Sequence, residues 1–136
     1  MTWVAAVQMA SGPNVSANLG EAERLIAQAV DGGARLVVLP ENFAHMSTGE
    51  GDWLAVRETD GSGSIQDFLA AQAQRHGVWL AGGTSPLESP RPDRYRAACL
   101  VDHDQAVDPV LFHQPGGLGG HPAGQHGARV AGHDRG

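Results

Sequence analysis

At 136 residues, 41% hydrophobic and 18% charged, the chain fits one domain able to bury a core of its own. Nine basic residues stand against 15 acidic ones, a net charge of −6, which speaks against nucleic acid or an anionic membrane as partner. All nine are arginines, so no side chain of the chain offers an ammonium group, and the single cysteine, Cys99, excludes an internal disulfide and fits a reducing cytosol.

The amino terminus runs straight into a strand candidate at residues 4–9, with no basic leader and no long apolar stretch. A membrane span or signal peptide is therefore not expected, and the location expected by default is cytoplasmic. Asn18 reads as the cap of a first helix, with Glu21 three residues on. Leu19, Ala22, Leu25, Ile26, Ala29 and Val30 then recur at helical spacing until Gly32-Gly33 supplies a left-handed stop.

Next comes Arg35-Leu36-Val37-Val38-Leu39-Pro40-Glu41-Asn42-Phe43, the stretch around which the chain is organised. Its apolar run predicts a short strand buried on both faces, ended by Pro40, which cannot donate to a ladder. Glu41 follows at once. Open α/β sheets place ligands just past the carboxyl ends of their strands, so Glu41 is the leading candidate for chemistry; the alternative is a solvated loop acid.

Residues 42–63 predict a long loop with one helical turn near residues 53–56. A second helix opens at Ser64, with Asp67 completing a capping pattern and Ile65, Phe68, Leu69, Ala73 and His76 on its buried side. His76 reads as a packing or dipole-favoured residue at the helix end. A third strand is expected at residues 78–83, a Pro/Ser/Arg-rich loop at 84–93 and a fourth strand at 95–101, in all an α/β layered domain. Cys99, inside that last strand, reads as a small core residue rather than a nucleophile.

From His103 onward the texture changes: eight glycines, three prolines and five of the seven histidines, with no period of 2 or 3.6. Such a tail cannot bury a face and is expected to be disordered. His113, His121, His126 and His133 lack the paired, close spacing of structural zinc ligands, so neither a metal nor another cofactor is expected. The domain boundaries read as 1–102 for the folded part and 103–136 for the tail.

On these residues the chain resembles the nitrilase, or carbon-nitrogen hydrolase, superfamily, nearest its deaminated-glutathione amidase-like branch. The carriers are Val7-Gln8-Met9, Asn18-Leu19, residues 33–43, Gly82-Gly83-Thr84 and Arg94-Tyr95-Arg96-Ala97-Ala98, and the resemblance covers about residues 3–101. It implies an α/β fold that is the N-terminal half of an α-β-β-α sandwich, followed by an irregular tail. It also implies that Glu41 is the general base of a Glu-Lys-Cys triad that hydrolyses small linear amides through an acyl-thiol intermediate.

Neither the family's lysine segment nor its cysteine elbow can be matched here. The resemblance therefore implies an N-terminal fragment inactive alone, and the abrupt change near residues 103–106 suggests a tail read from another coding frame. The alternative function is a non-catalytic subunit that pairs with a complementary half or a full-length relative. Expected partners are a small amide once the site is completed, and a second subunit, like or unlike, across the sheet; Arg57 on the long loop reads equally as a contact for a substrate carboxylate or as a solvated surface residue.

Overall fold

The computed structural model describes residues 1–49, 52–102 and 112–114. Five strands, β1 (Trp3–Ala6), β2 (Ala34–Val38), β3 (Trp79–Glu88), β4 (Tyr95–Asp102) and β5 (Phe112–Gln114), lie side by side in chain order. β1, β2 and β3 run parallel, while β4 and β5 join antiparallel. Helices α1 (Val15–Asp31) and α3 (Ser64–His76) make the two crossovers, and a single turn, α2 (Asp52–Ala55), sits in the long loop.

Two right-handed crossovers that step in the same direction put both helices on the same face of a sheet. Accordingly α1 and α3 lie together, with Arg75 and Gln72 of α3 both donating to Glu23 of α1. Beneath them Ala22, Ile26, Val37, Leu69 and Leu80 are fully buried. The other face stays open: by strand register Val4, Leu36 and Trp79 form one row and Ala6, Val38 and Ala81 the next. Val4 is 60% exposed, Trp79 44% and Val38 37%. The expectation that β2 is buried on both faces is corrected here, because α1 and α3 cover one face only.

Three local expectations also change. Asn14, not Asn18, caps α1, its side chain accepting from the Ala17 amide at 3.0 Å. Asn18 shares the inward stripe of Ala22 and Ile26, four residues apart, so its amide points into the protein. The start of α3 is capped from a distance: Glu58 accepts from the Ile65 amide at 2.6 Å and the Gln66 amide at 3.2 Å, in place of the expected Ser64 and Asp67 pair. We expect Glu58→Ala to cost about 1–2 kcal/mol, the usual worth of a cap, read as a lower urea midpoint at unchanged slope.

β3 continues to Glu88 through what the composition marks as a loop. Pro86 is tolerated there because its carbonyl faces the Glu58 amide rather than β4, so the N–H it lacks is not one the β3–β4 ladder needs. The tail expected at 103–136 falls mostly outside the described residues; within it, 112–114 form β5.

Candidate active site

β2 ends where its hydrogen bonds do. The Leu39 amide donates to the Ala81 carbonyl at 2.9 Å, and on the other side the Val7 amide donates to the Val38 carbonyl at 2.9 Å. Pro40 then breaks the ladder and Glu41 begins a tight turn over residues 41–44. The Phe43 amide donates to the Pro40 carbonyl and the His45 amide to the Asn42 carbonyl, each at 3.2 Å. Asn42 takes φ = 58°, a left-handed conformation that asparagine tolerates better than most residues.

That turn splits its side chains. Phe43 goes into the core with no exposure and meets Phe68 with ring centroids 6.3 Å apart, whereas Glu41 is exposed. Glu41 thus stands at the carboxyl edge of the parallel strands, on the middle one, and its carboxylate has no hydrogen-bond or ion-pair partner among the described residues.

The backbone beneath it is held from two sides. From α1, Asn18 Nδ2 donates to the Gly12 and Ala44 carbonyls, both at 2.8 Å, and Asn18 Oδ1 accepts from the Gly12 amide at 3.0 Å. Ser11 Oγ donates to the Phe43 carbonyl at 2.8 Å, and the Met46 amide donates to the Gly12 carbonyl at 2.9 Å. From β3, the bulge at Gly82-Gly83 comes up against the same turn. Gly83 has φ = 62°, and a Cβ there would run into the Pro40 carbonyl oxygen and stand 3.3 Å from Glu41 Cα.

His45 lies beyond the turn and is 3% exposed. Its Nδ1 is 3.1 Å from the Pro13 carbonyl, which only an N–H can satisfy, and its Nε2 is buried with no hydrogen-bond partner among the described residues. The ring meets Trp53 edge-on at 4.8 Å, and Trp53 stacks on Tyr95 at 6.1 Å, a run of rings that ties the long loop to β4.

At the start of α2, Asp52 accepts from the Thr48 and Gly49 amides, both at 3.1 Å, and from the Ser47 and Thr48 hydroxyls. These bonds, the Thr48 amide foremost, hold its carboxyl below the ordinary 3.8. A lowered folded value means that the contribution is complete above 3.8 and is lost as pH falls through that lower value. The Thr48 and Gly49 amide resonances should therefore titrate with a midpoint below 3.8 in an NMR pH series.

Of the other candidates, Arg57 is committed elsewhere, donating to the Pro92 and Arg94 carbonyls, which makes it a strap for the 92–94 turn rather than a free cation. His76 closes α3, its Nε2 buried with no hydrogen-bond partner among the described residues. Cys99 lies in β4, its backbone paired with Thr84 and Phe112. His113 is in β5, while His121, His126 and His133 lie outside the described residues. Among the described residues no group of three or more His, Cys, Asp or Glu side chains could hold a metal ion. No helix of theirs is long and apolar enough to cross a membrane.

A strand ending in Pro-Glu, a buried asparagine clamp and a glycine bulge against the same turn are now placed together. The family model described as carbon-nitrogen hydrolase matches residues 3–114, more than half of the chain. This chain belongs to the carbon-nitrogen hydrolase family. The match runs past residue 101, where the resemblance carried by the motifs ends, and takes in β5.

Among curated members of the family, the chain is 43% identical over 99 residues to a deaminated glutathione amidase of Synechocystis, covering 71% of this chain and 36% of that one. It is 34% identical over 103 residues to a deaminated glutathione amidase of Yersinia enterocolitica, covering 75% and 35%. The chain thus spans about a third of the length of these carbon-nitrogen hydrolase relatives.

Two solved structures share the fold. Nit3 of Saccharomyces cerevisiae, described as a member of branch 10 of the nitrilase superfamily, superposes with a TM-score of 0.66 at 24% identity, covering 76% of this chain and 40% of that one. The NitFhit protein of Caenorhabditis elegans superposes with a TM-score of 0.68 at 20% identity, covering 82% and 27%.

Two parts of the site escape a reading by periodicity. Asn18 looks like a cap by residue type, and the signal that it is not one is its place on the apolar stripe of α1. The Gly82-Gly83 pair inside an apolar run is the ordinary mark of a bulge or a close backbone approach.

Proposed function

We propose that this chain contributes the proton acceptor of an amidase-type, thiol-dependent hydrolysis, with Glu41 as general base and the thiol and ammonium groups supplied from outside the 136 residues. One observation carries the reading: Glu41 is exposed, with no partner among the described residues, at the carboxyl edge of the parallel strands, on a backbone held from both sides.

In the reaction Glu41 takes the proton of a thiol, and the thiolate attacks the amide carbon. As the C–N bond breaks, the proton passes from Glu41 to the leaving nitrogen. Glu41 then takes a proton from water as the water oxygen attacks the thioester, and the thiol leaves with that proton. An ammonium group beside the oxyanion is worth several kcal/mol, roughly 2.7–4 for a single donor in a measured case. The relatives' names suggest deaminated glutathione as substrate, and the reading extends from it to small linear amides, ω-amide dicarboxylates among them. The single cysteine supports a cytoplasmic setting.

A second reading is favoured by the exposed sheet face that carries Val4 and Val38. Here the chain is a non-catalytic subunit whose apolar sheet face seats a like or unlike partner. One experiment separates the two: combine the full chain with the part of the Synechocystis amidase that it does not match and assay ammonia release from a small ω-amide acid. Turnover by the mixture, with none by either piece alone, is expected. Association without turnover favours the subunit reading, and turnover by the chain alone overturns the need for outside groups.

A further inference from the structure

We infer that Gly83 and Asn18 are positioning residues for Glu41, a grip on the turn from opposite sides; the inference rests on the reading of Glu41 as general base. Neither residue is explained by its own element. Gly83 interrupts the β3–β4 ladder, with the register shifting between Ala81 and Thr84, at a position whose left-handed φ already disfavours any side chain.

What occupies the space of the absent Cβ is the Pro40–Glu41 peptide itself, the Pro40 carbonyl carbon lying 3.0 Å from that point. A ladder is broken, and a backbone is brought into contact with the residue that bears the base. Asn18 is 5% exposed and spends its entire amide on loops rather than on its helix, both N–H bonds and the oxygen being used. One of those bonds goes to Ala44, in the same turn as Glu41, and Ser11 adds another at Phe43. Grips from β3 and from α1 leave the Glu41 backbone little freedom to translate.

The test uses the full chain, alone and mixed with the unmatched part of the Synechocystis amidase. In the chain alone, Gly83→Ala and Asn18→Ala should speed amide exchange at Phe43, His45 and Met46 by about tenfold, with the Gly33 and Val78 amides within about twofold of wild type. In the mixture, kcat should fall by about 10²-fold, the cost of misplacing a catalytic group by about 1 Å, with KM nearly unchanged. Ser11→Ala, which removes one hydroxyl donor only, should show the same pattern in weaker form and decides the matter if the other two do not fold.

Exchange that rises equally at all five amides, or does not rise at the turn, overturns the inference. So does a loosened turn with unchanged kcat. If the wild-type mixture has no turnover, the reading of Glu41 as base has failed, and the exchange data alone decide whether Gly83 and Asn18 hold the turn.

Discussion

Glu41→Gln, in the mixture with the unmatched part of the amidase, should lower turnover by about 10²–10⁴-fold, the range that a positioned general base contributes. Glutamine keeps the shape of glutamate and removes its ability to accept a proton. Because the side chain is exposed and has no partner among the described residues, the substitution should leave the fold intact. The paired measurements are kcat for ammonia release and the urea midpoint of the chain alone. A variant with wild-type kcat would end the assignment of Glu41 as base. A large drop in the midpoint would show that the carboxylate has a structural duty.

Phe43→Ala should cost about 3–5 kcal/mol of folding stability. The ring is fully buried and packs against Phe68. Alanine in its place leaves a cavity in a core fed from one face of the sheet only, where few atoms can close in to fill it. Against a typical total of about 5–15 kcal/mol for a natural domain, that loss is a large fraction. Urea denaturation followed by near-ultraviolet circular dichroism should give a markedly lower midpoint, and Phe43→Leu should recover most of it, at a cost under about 1.5 kcal/mol. Equal midpoints for alanine and leucine would mean that the ring is not what fills the space. Phe43 is two residues from Glu41, so stability and site share a turn.

Much of this arrangement is legible from the residues. The order of strands and helices follows from apolar runs punctuated by glycine and proline, and Pro40 marks the end of β2 for the reason it does in any sheet: it has no N–H to give. Glu41 is legible as a site candidate because position at the end of a buried strand is itself information. Other features are not, and each for a physical cause. Asn14 and Asn18 are equally good caps by type, and only the inward stripe of α1 tells them apart.

Glu58 caps α3 from outside the helix because the chain doubles back at residues 59–63, a path that no local window encodes. Ser85-Pro86-Leu87 looks like a loop because proline usually breaks strands, yet Pro86 turns its missing donor away from β4. Arg57 reads as a carboxylate contact or a solvated residue, and the carbonyls it serves lie 35 and 37 residues further on. The family motif stands out across the first hundred residues because it combines strand, helix and Pro-Glu at fixed intervals.

The exposed sheet face that carries Val4 and Val38 ties the stability of this chain to its surroundings. A partner that covered those side chains would bind the native form and not the unfolded one, so the two equilibria would be linked by mass action. A coverer present at 100 times its dissociation constant would add about 2.7 kcal/mol, comparable to the loss from a core truncation. The melting temperature of the chain is then set by dose: in dilute solution it reports the sheet and its two helices alone, and in company it reports how tightly the company binds.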